Sequence, residues 1–225
     1  MRRVVSAIVV IAGIGFAAAG AHHAARAQGS APAAKAPSAA APSSGAVDVA
    51  TEPYHEIVAG DPKAKVTVVE YASLTCPHCA LFAVNSFPQL KKDYIDTGKI
   101  RYVFRDLPTS PQELAIAAAQ VARCVPAERG LSMIEMMYKH QQEWMSQPEV
   151  TLRGYAQLAG LSSADFDACL KNKAIATGIN NAVQTASTLY KVESTPTFFV
   201  GEQKIEGQEY EPLKKAIDKA LAKQG

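Results

Sequence analysis

After residue 27 the chain has no apolar run that resembles a membrane span, no internal repeat and no surplus of charge of either sign. The lack of a repeat excludes a solenoid or propeller built by stacking one unit. The lack of excess charge counts against a nucleic-acid partner. Removing residues 1–27 takes away Arg2, Arg3 and Arg26 and no acid, so the formal charge falls by three, from +2 to −1. Cysteine is scarce as well, with four in 225 residues, and just one pair, Cys76 and Cys79, lies close together. A tetrahedral zinc site usually needs a second close pair, whereas Cys124 and Cys169 stand 45 residues apart. Covalent haem needs a histidine directly after the second cysteine, where this chain has Ala80. No metal and no cofactor are expected.

What is present starts with a leader. Arg2 and Arg3 precede an apolar run from Val4 to about Ala19, followed by Ala25-Arg26-Ala27, the order of parts in a secretory signal peptide. Cleavage after Ala27 is expected, leaving Gln28 as the first residue of an exported, periplasmic protein. A retained anchor is the alternative, but it needs about 20 apolar residues, and this run is interrupted by Ser6, Gly13 and Gly15. Residues 28–50 are mostly Ala, Pro, Ser and Gly, which cannot bury enough apolar surface to offset the entropy of ordering, and read as a flexible tether. The remainder suits one domain of ordinary size.

Within it, Lys65-Val-Thr-Val-Val-Glu-Tyr71 is dense in β-branched residues and predicts a strand buried on both faces. Cys76-Pro77-His78-Cys79 follows directly. Pro77 suits the first position of a helix running to about Tyr94, with a bend at Pro88. A second strand is predicted at Ile100–Arg105, giving a parallel βαβ unit. About 80 residues of helical pattern come next. Ser110-Pro111-Gln112-Glu113 reads as a capping box with Pro111 at the first helical position, and Ser162 with Asp165 opens a later helix. Strands return at Thr197–Val200 and Gln203–Ile205 as a hairpin, and Leu213, Ile217 and Leu221 mark a closing helix. The expected order is β-α-β, an all-helical insertion, then β-β-α.

The position of the cysteine pair explains its spacing. A first cysteine at a helix N-terminus faces free backbone N–H groups and the positive end of the dipole, which stabilise its thiolate. Cys76 is therefore expected to be the exposed nucleophile, with Cys79 one turn on, facing inward and able to close a disulfide with it. His78 either adds a donor or partial positive charge beside the thiolate or merely fills a surface turn. An inert local bridge is the bland alternative for the pair. Glu70, an acid in an otherwise apolar strand, is anomalous unless it faces water at a sheet edge.

These pieces resemble the DsbA-type periplasmic thiol-disulfide oxidoreductases. The resemblance rests on Glu70-Tyr71-Ala72-Ser73-Leu74-Thr75-Cys76-Pro77-His78-Cys79 and on Ser194-Thr195-Pro196-Thr197-Phe198-Phe199, and in order and spacing it covers the chain from about residue 52 onward. It implies an α/β thioredoxin fold with an inserted all-helical subdomain, with residues 51–107 and 192–225 forming the thioredoxin-like part and residues 108–191 the insertion. It also implies a cis Pro196 beside the cysteine pair, a Thr195 backbone free to pair with a bound peptide, and a buried Glu70 that exchanges protons with Cys79. A trans proline merely opening a strand is the alternative for Pro196.

The implied clients are unfolded exported proteins with free thiols, and the implied reoxidant is an integral-membrane, quinone-linked partner. One residue departs from the pattern. Strongly oxidising members tend to carry Val before the cis proline, whereas Thr195 matches the isomerase-like relatives and implies weaker oxidation. Those relatives add an N-terminal dimerisation domain that about 25 tether residues cannot build. A monomeric oxidase acting in oxidative protein folding is the expectation, with a reductase or isomerase of the same fold as its alternative. A non-catalytic peptide-holding module is the rival from another class. With the close pair assigned to redox work, Cys124 and Cys169 are expected as a second bridge inside the insertion, against two unpaired buried thiols. Met133, Met137, His140 and Trp144 share a helical spacing that reads as core of the insertion or as an adaptable binding face.

Overall fold

The computed structural model describes residues 54–224. The expected leader and tether, together with residues 51–53 and 225, lie outside the described residues. The described chain builds a five-stranded sheet in the order β1-β3-β2-β4-β5, from β1 (Ile57–Gly60), β2 (Val66–Ala72), β3 (Ile100–Asp106), β4 (Thr197–Val200) and β5 (Gln203–Glu206). β2 and β3 are parallel, while β1 on β3, β4 on β2 and β5 on β4 are antiparallel.

β1 is absent from the expected strand order. It is a four-residue edge strand, too short to show alternation, and it ends at Gly60, whose φ of +88° suits glycine. A Cβ there would lie 2.3 Å from the Ile100 carbonyl oxygen, so Gly60 lets the edge approach β3.

The first helical run begins with α1 (Pro77–Leu81) and α2 (Phe87–Leu90), with π-helical turns at Phe82–Ser86 and Lys91–Ile95. Pro88 has no N–H to give the Val84 carbonyl, and the helix accommodates this with the π turn ahead of it. Between β3 and β4 come α3 (Gln112–Cys124), α4 (Gly130–Lys139), α5 (Gln141–Ser146), α6 (Pro148–Leu158), α7 (Ser163–Leu170) and α8 (Lys173–Thr188). The chain then closes with α9 (Tyr210–Ala222).

Ser162 caps α7, accepting from the Asp165 N–H at 3.1 Å. The capping box expected at residues 110–113 does not form: Pro111 is extended and stands just before α3, which puts Ser110 one position too early to cap it. The spaced Met133, Met137, His140 and Trp144 do not share one helix either, because the chain leaves helical geometry at His140 between α4 and α5. Met133, Met137 and Trp144 are buried core, while His140 is exposed.

Side-chain alternation along β2 separates two cores. Val66, Val68 and Ala72 face the larger one with Phe82, Phe104, Phe198, Leu213 and Ile217, whereas Tyr71 faces a smaller cluster with Ala186 and Val192. By the same alternation Glu70 points into the larger, apolar side. α3 is tied to the end of β3 by a fully desolvated ion pair, Arg123 to Asp106 at 2.6 Å, with the Tyr54 hydroxyl 3.3 Å from Arg123. Removing either charge would leave the other buried and unpaired, so the pair fixes the insertion's place.

Candidate active site

β2 ends at Ala72, and the following Ser73–Thr75 loop is fixed from three directions. The Thr109 N–H donates to the Ser73 hydroxyl at 3.0 Å, and the Tyr138 hydroxyl donates to the Ser73 carbonyl at 3.2 Å. From α5, Gln141 Nε2 donates to the carbonyls of Leu74 at 2.8 Å and Cys76 at 3.0 Å. Sequence reasoning missed Gln141 and Tyr138, because nothing local marks a glutamine or tyrosine whose partner lies 65 residues away. The loop delivers Cys76 to the N-cap of α1, with Pro77 in its first turn. There the Cys76 carbonyl accepts from the Ala80 N–H at 3.2 Å.

Both Cys76 and Cys79 are free thiols. Cys79 is fully buried, and Cys76 is itself only 8% exposed, which corrects the expectation of an exposed nucleophile. The cause is the Thr195–Pro196 loop: its peptide bond is cis, and the Thr195 carbonyl lies 3.4 Å from Cys76 Sγ. Pro77 and His78 are exposed beside it.

The two thiols are driven apart electrostatically. A hydrogen bond from Cys79 is the largest influence on Cys76 and favours its thiolate; burial opposes it, and the Thr195 side chain and the backbone N–H groups of Cys79 and His78 assist. Together they bring the Cys76 thiol from an ordinary value near 9 down to about 5. Thr195 thus acts in opposite senses, since its carbonyl accepts from the thiol while its side chain donates to the thiolate. The downward shift shows that the donors prevail. His78 contributes through its main-chain N–H. Cys79 is pushed well up by burial, by its bond to Cys76 and by the charges of Cys76 and Glu70.

Glu70 is 2% exposed, and in the sheet it stands between Phe104 of β3 and Phe198 of β4. It is therefore not an edge residue facing water. Burial pushes its carboxyl up to about 8, against the lowering effect of the Tyr102 hydroxyl, which donates to Glu70 Oε2. Tyr102 was also missed, although a tyrosine between Ile100 and Val103 in β3 is a weak signal of a buried polar partner.

Away from this cluster, Cys124 and Cys169 form a disulfide joining α3 to α7, with S–S 2.06 Å and Cα atoms 6.0 Å apart. No group of metal-ligating side chains occurs among the described residues, and no helix there is long and apolar enough to cross a membrane.

A family model described as thioredoxin matches residues 53–219. A Rickettsia prowazekii protein provisionally named a protein-disulfide oxidoreductase is 34% identical over 170 residues, covering 74% of this chain and 62% of its own length. The chain thus spans about 62% of the curated relatives it matches first. Among solved structures, alpha-DsbA1 of Wolbachia pipientis is 29% identical with a TM-score of 0.70, covering 80% of this chain and 97% of that one. A variant of the same Wolbachia protein is 30% identical with a TM-score of 0.68, covering 75% and 92%.

Proposed function

We propose, given that the chain belongs to the DsbA-like branch of the thioredoxin family, that it is an exported thiol-disulfide oxidoreductase that introduces disulfides into other exported proteins. The observation that carries this reading is the split between the cysteines: one sulfur held as thiolate near neutral pH, the other buried and kept protonated beside Glu70.

The oxidised protein starts the cycle. A client thiolate attacks Cys76 Sγ, the Cys76–Cys79 bond breaks, and its electron pair goes to Cys79, which takes a proton from Glu70. The client's second thiolate then attacks its own linked sulfur and expels Cys76, which leaves readily because its thiolate is stabilised. The client gains a disulfide and the protein holds two extra electrons as a Cys76 thiolate and a Cys79 thiol. A membrane redox partner, quinone-linked in the pattern the family implies, removes them.

Thr195 and Pro196 form the client-facing edge, where an extended peptide pairs with the Thr195 backbone. Leu81 and Val84, on the helical run that starts at Pro77, are exposed apolar side chains. The protein acts as a monomer in the periplasm. Oxidative refolding of a reduced client, and dithiothreitol-driven insulin reduction, should both be catalysed and should both vanish in Cys76→Ser. A wild type that catalyses neither reaction would favour the peptide-holding reading, and catalysis persisting in Cys76→Ser would remove Cys76 from its assigned role. The redox state of Cys76 and Cys79 in the living cell decides direction: a predominantly oxidised pair is expected, and a reduced pair would make the protein a reductase or isomerase.

A further inference from the structure

We propose that Glu135 is the outer station of a proton path that connects Glu70 and Cys79 to solvent through a small cavity between β2, β3 and α4. The inference rests on the exchange chemistry above. Each turnover places a proton on Cys79 and later removes it, yet Cys79 is fully buried and Glu70 is 2% exposed. A buried carboxyl that gives up its proton needs a route for replacing it.

The structure offers one such opening. A cavity of about 10 Å³, room for roughly one water molecule, is lined by Glu70, Tyr102, Tyr138, Glu135 and apolar side chains including Phe82 and Ile134. Two of its polar groups are already engaged, Tyr102 with Glu70 and Tyr138 with the Ser73 carbonyl. Glu135 is the remaining polar side chain in the lining, and unlike Glu70 it is half-buried, at the rim with partly exposed Ala83 and Leu131.

A plain surface ion pair is the competing explanation for Glu135, with Lys91 as its partner. Lys91 Nζ, however, is bound to Asp96 at 2.5 Å. The charged or titratable groups that face Glu135 are therefore Lys91 from the π turn after α2, Asp96 that caps that turn, Tyr102 from β3, Glu70 from β2 and Tyr138 from its own helix. Burial raises the Glu135 carboxyl above its ordinary range, Lys91 opposes this and Asp96 adds to it. A raised carboxyl at the rim is a better proton donor to a buried partner near neutral pH than an ordinary surface acid.

The proton balance is simple. When the Cys76–Cys79 bond breaks, the Cys79 sulfur takes the Glu70 proton. Glu135 then takes up a proton from bulk solvent and passes it through water in the cavity to Glu70. Reoxidation runs the same transfers outward. Glu135 never touches the reacting sulfurs, so it is a positioning residue for protons and not a catalytic one.

The test is stopped-flow mixing of oxidised full-length protein with a thiol peptide, in H2O and D2O, from about pH 5 to pH 9. Glu135→Gln should leave the first attack near the wild-type rate, because it uses the proton already on Glu70. It should slow later turnovers, run with excess thiol peptide and oxidised glutathione, by about tenfold, less than the ~10²–10⁴ of a direct acid–base contact because water still reaches the rim. Its solvent isotope effect should rise, while the melting temperature, the Cys76 titration and the glutathione equilibrium stay as in the wild type. Glu135→Asp should retain the wild-type rate, and added formate should restore Glu135→Ala. A Glu135→Gln turnover rate and isotope effect equal to the wild type at every pH would overturn the path, as would slowing that formate and Asp fail to relieve. Wild-type protein that itself fails to exchange would instead overturn the function the path serves.

Discussion

Cys76 and Cys79 stand three positions apart at the start of α1 with both thiols free, whereas Cys124 and Cys169, 45 residues apart, are bridged across α3 and α7. The same two atoms meet opposite surroundings. Around Cys76, a neighbouring thiol, the Thr195 side chain and two helix N–H groups all favour the anion. At Cys169 the Gln120 carbonyl lies 3.3 Å from the sulfur, an acceptor that gives a thiolate nothing. One pair therefore gains interactions when its bond opens, and the other loses a covalent tie and gains none. The lesson is that a disulfide's readiness to break is set by what waits for the released thiolate, more than by the bond.

The sharpest way to break this comparison is to swap which pair is lost. Cys76→Ser should abolish thiol exchange, while Cys124→Ser with Cys169→Ser should leave it near the wild-type rate and instead lower stability. Closing a 45-residue loop restricts the unfolded chain by about 4 kcal/mol on the entropy model. Denaturant unfolding of the double variant beside an exchange assay checks both halves. Lost exchange with intact folding in the double variant would mean that the insertion's bridge shapes the redox site.

Glu70→Gln sharpens the contrast through pH. The folded protein holds the Glu70 proton more tightly than the unfolded chain, its value rising from 4.5 to about 8. The stability this contributes is full below about 4.5 and is lost as pH rises through 8. Glu70→Gln should therefore melt like the wild type near about pH 4 and above it near about pH 9, while client attack slows because Cys79 has lost its proton donor. Thermal melts across that range check the sign, and a variant less stable at high pH would show that the carboxylate is favoured in the fold.

A smaller effect is expected from Tyr102→Phe. The Tyr102 hydroxyl favours the ionised Glu70, so removing it should push Glu70 further up, by about one pH unit for a bond of ~1.5 kcal/mol. The exchange rate's pH profile should move upward by that amount, and an unmoved profile would detach Tyr102 from the proton chemistry.

The parts of this site that could be read from the sequence are those whose physics is local. The CPHC spacing, the proline that opens a helix and the acid in a β-branched strand each act within a few residues. Pro196, 120 residues downstream of Cys76, came only through the family resemblance. Gln141, Tyr138, Tyr102 and Glu135 were hidden, because their meaning depends on where α4, α5 and β3 come to rest. In the fold, β2 carried a dense β-branched pattern, and the hairpin was marked by its Gly201-Glu202 turn. β1 did not stand out, since a four-residue edge strand takes its place from β3 and from a glycine that permits close approach.

The central claim, that the open form of the Cys76–Cys79 pair is stabilised by its thiolate, is tested most directly by one titration. Ultraviolet thiolate absorbance should be followed against pH in reduced protein, with Cys79→Ser as the control that isolates Cys76. The account predicts a midpoint near 5 for Cys76 in the reduced wild type. A depressed value favours the reduced fold increasingly as pH rises above 5, and this advantage is lost as pH falls through it. Reduced protein should accordingly melt higher than oxidised protein at neutral pH, and the gap should close toward about pH 5. A Cys76 that titrates near the ordinary ~8.5 would contradict the claim.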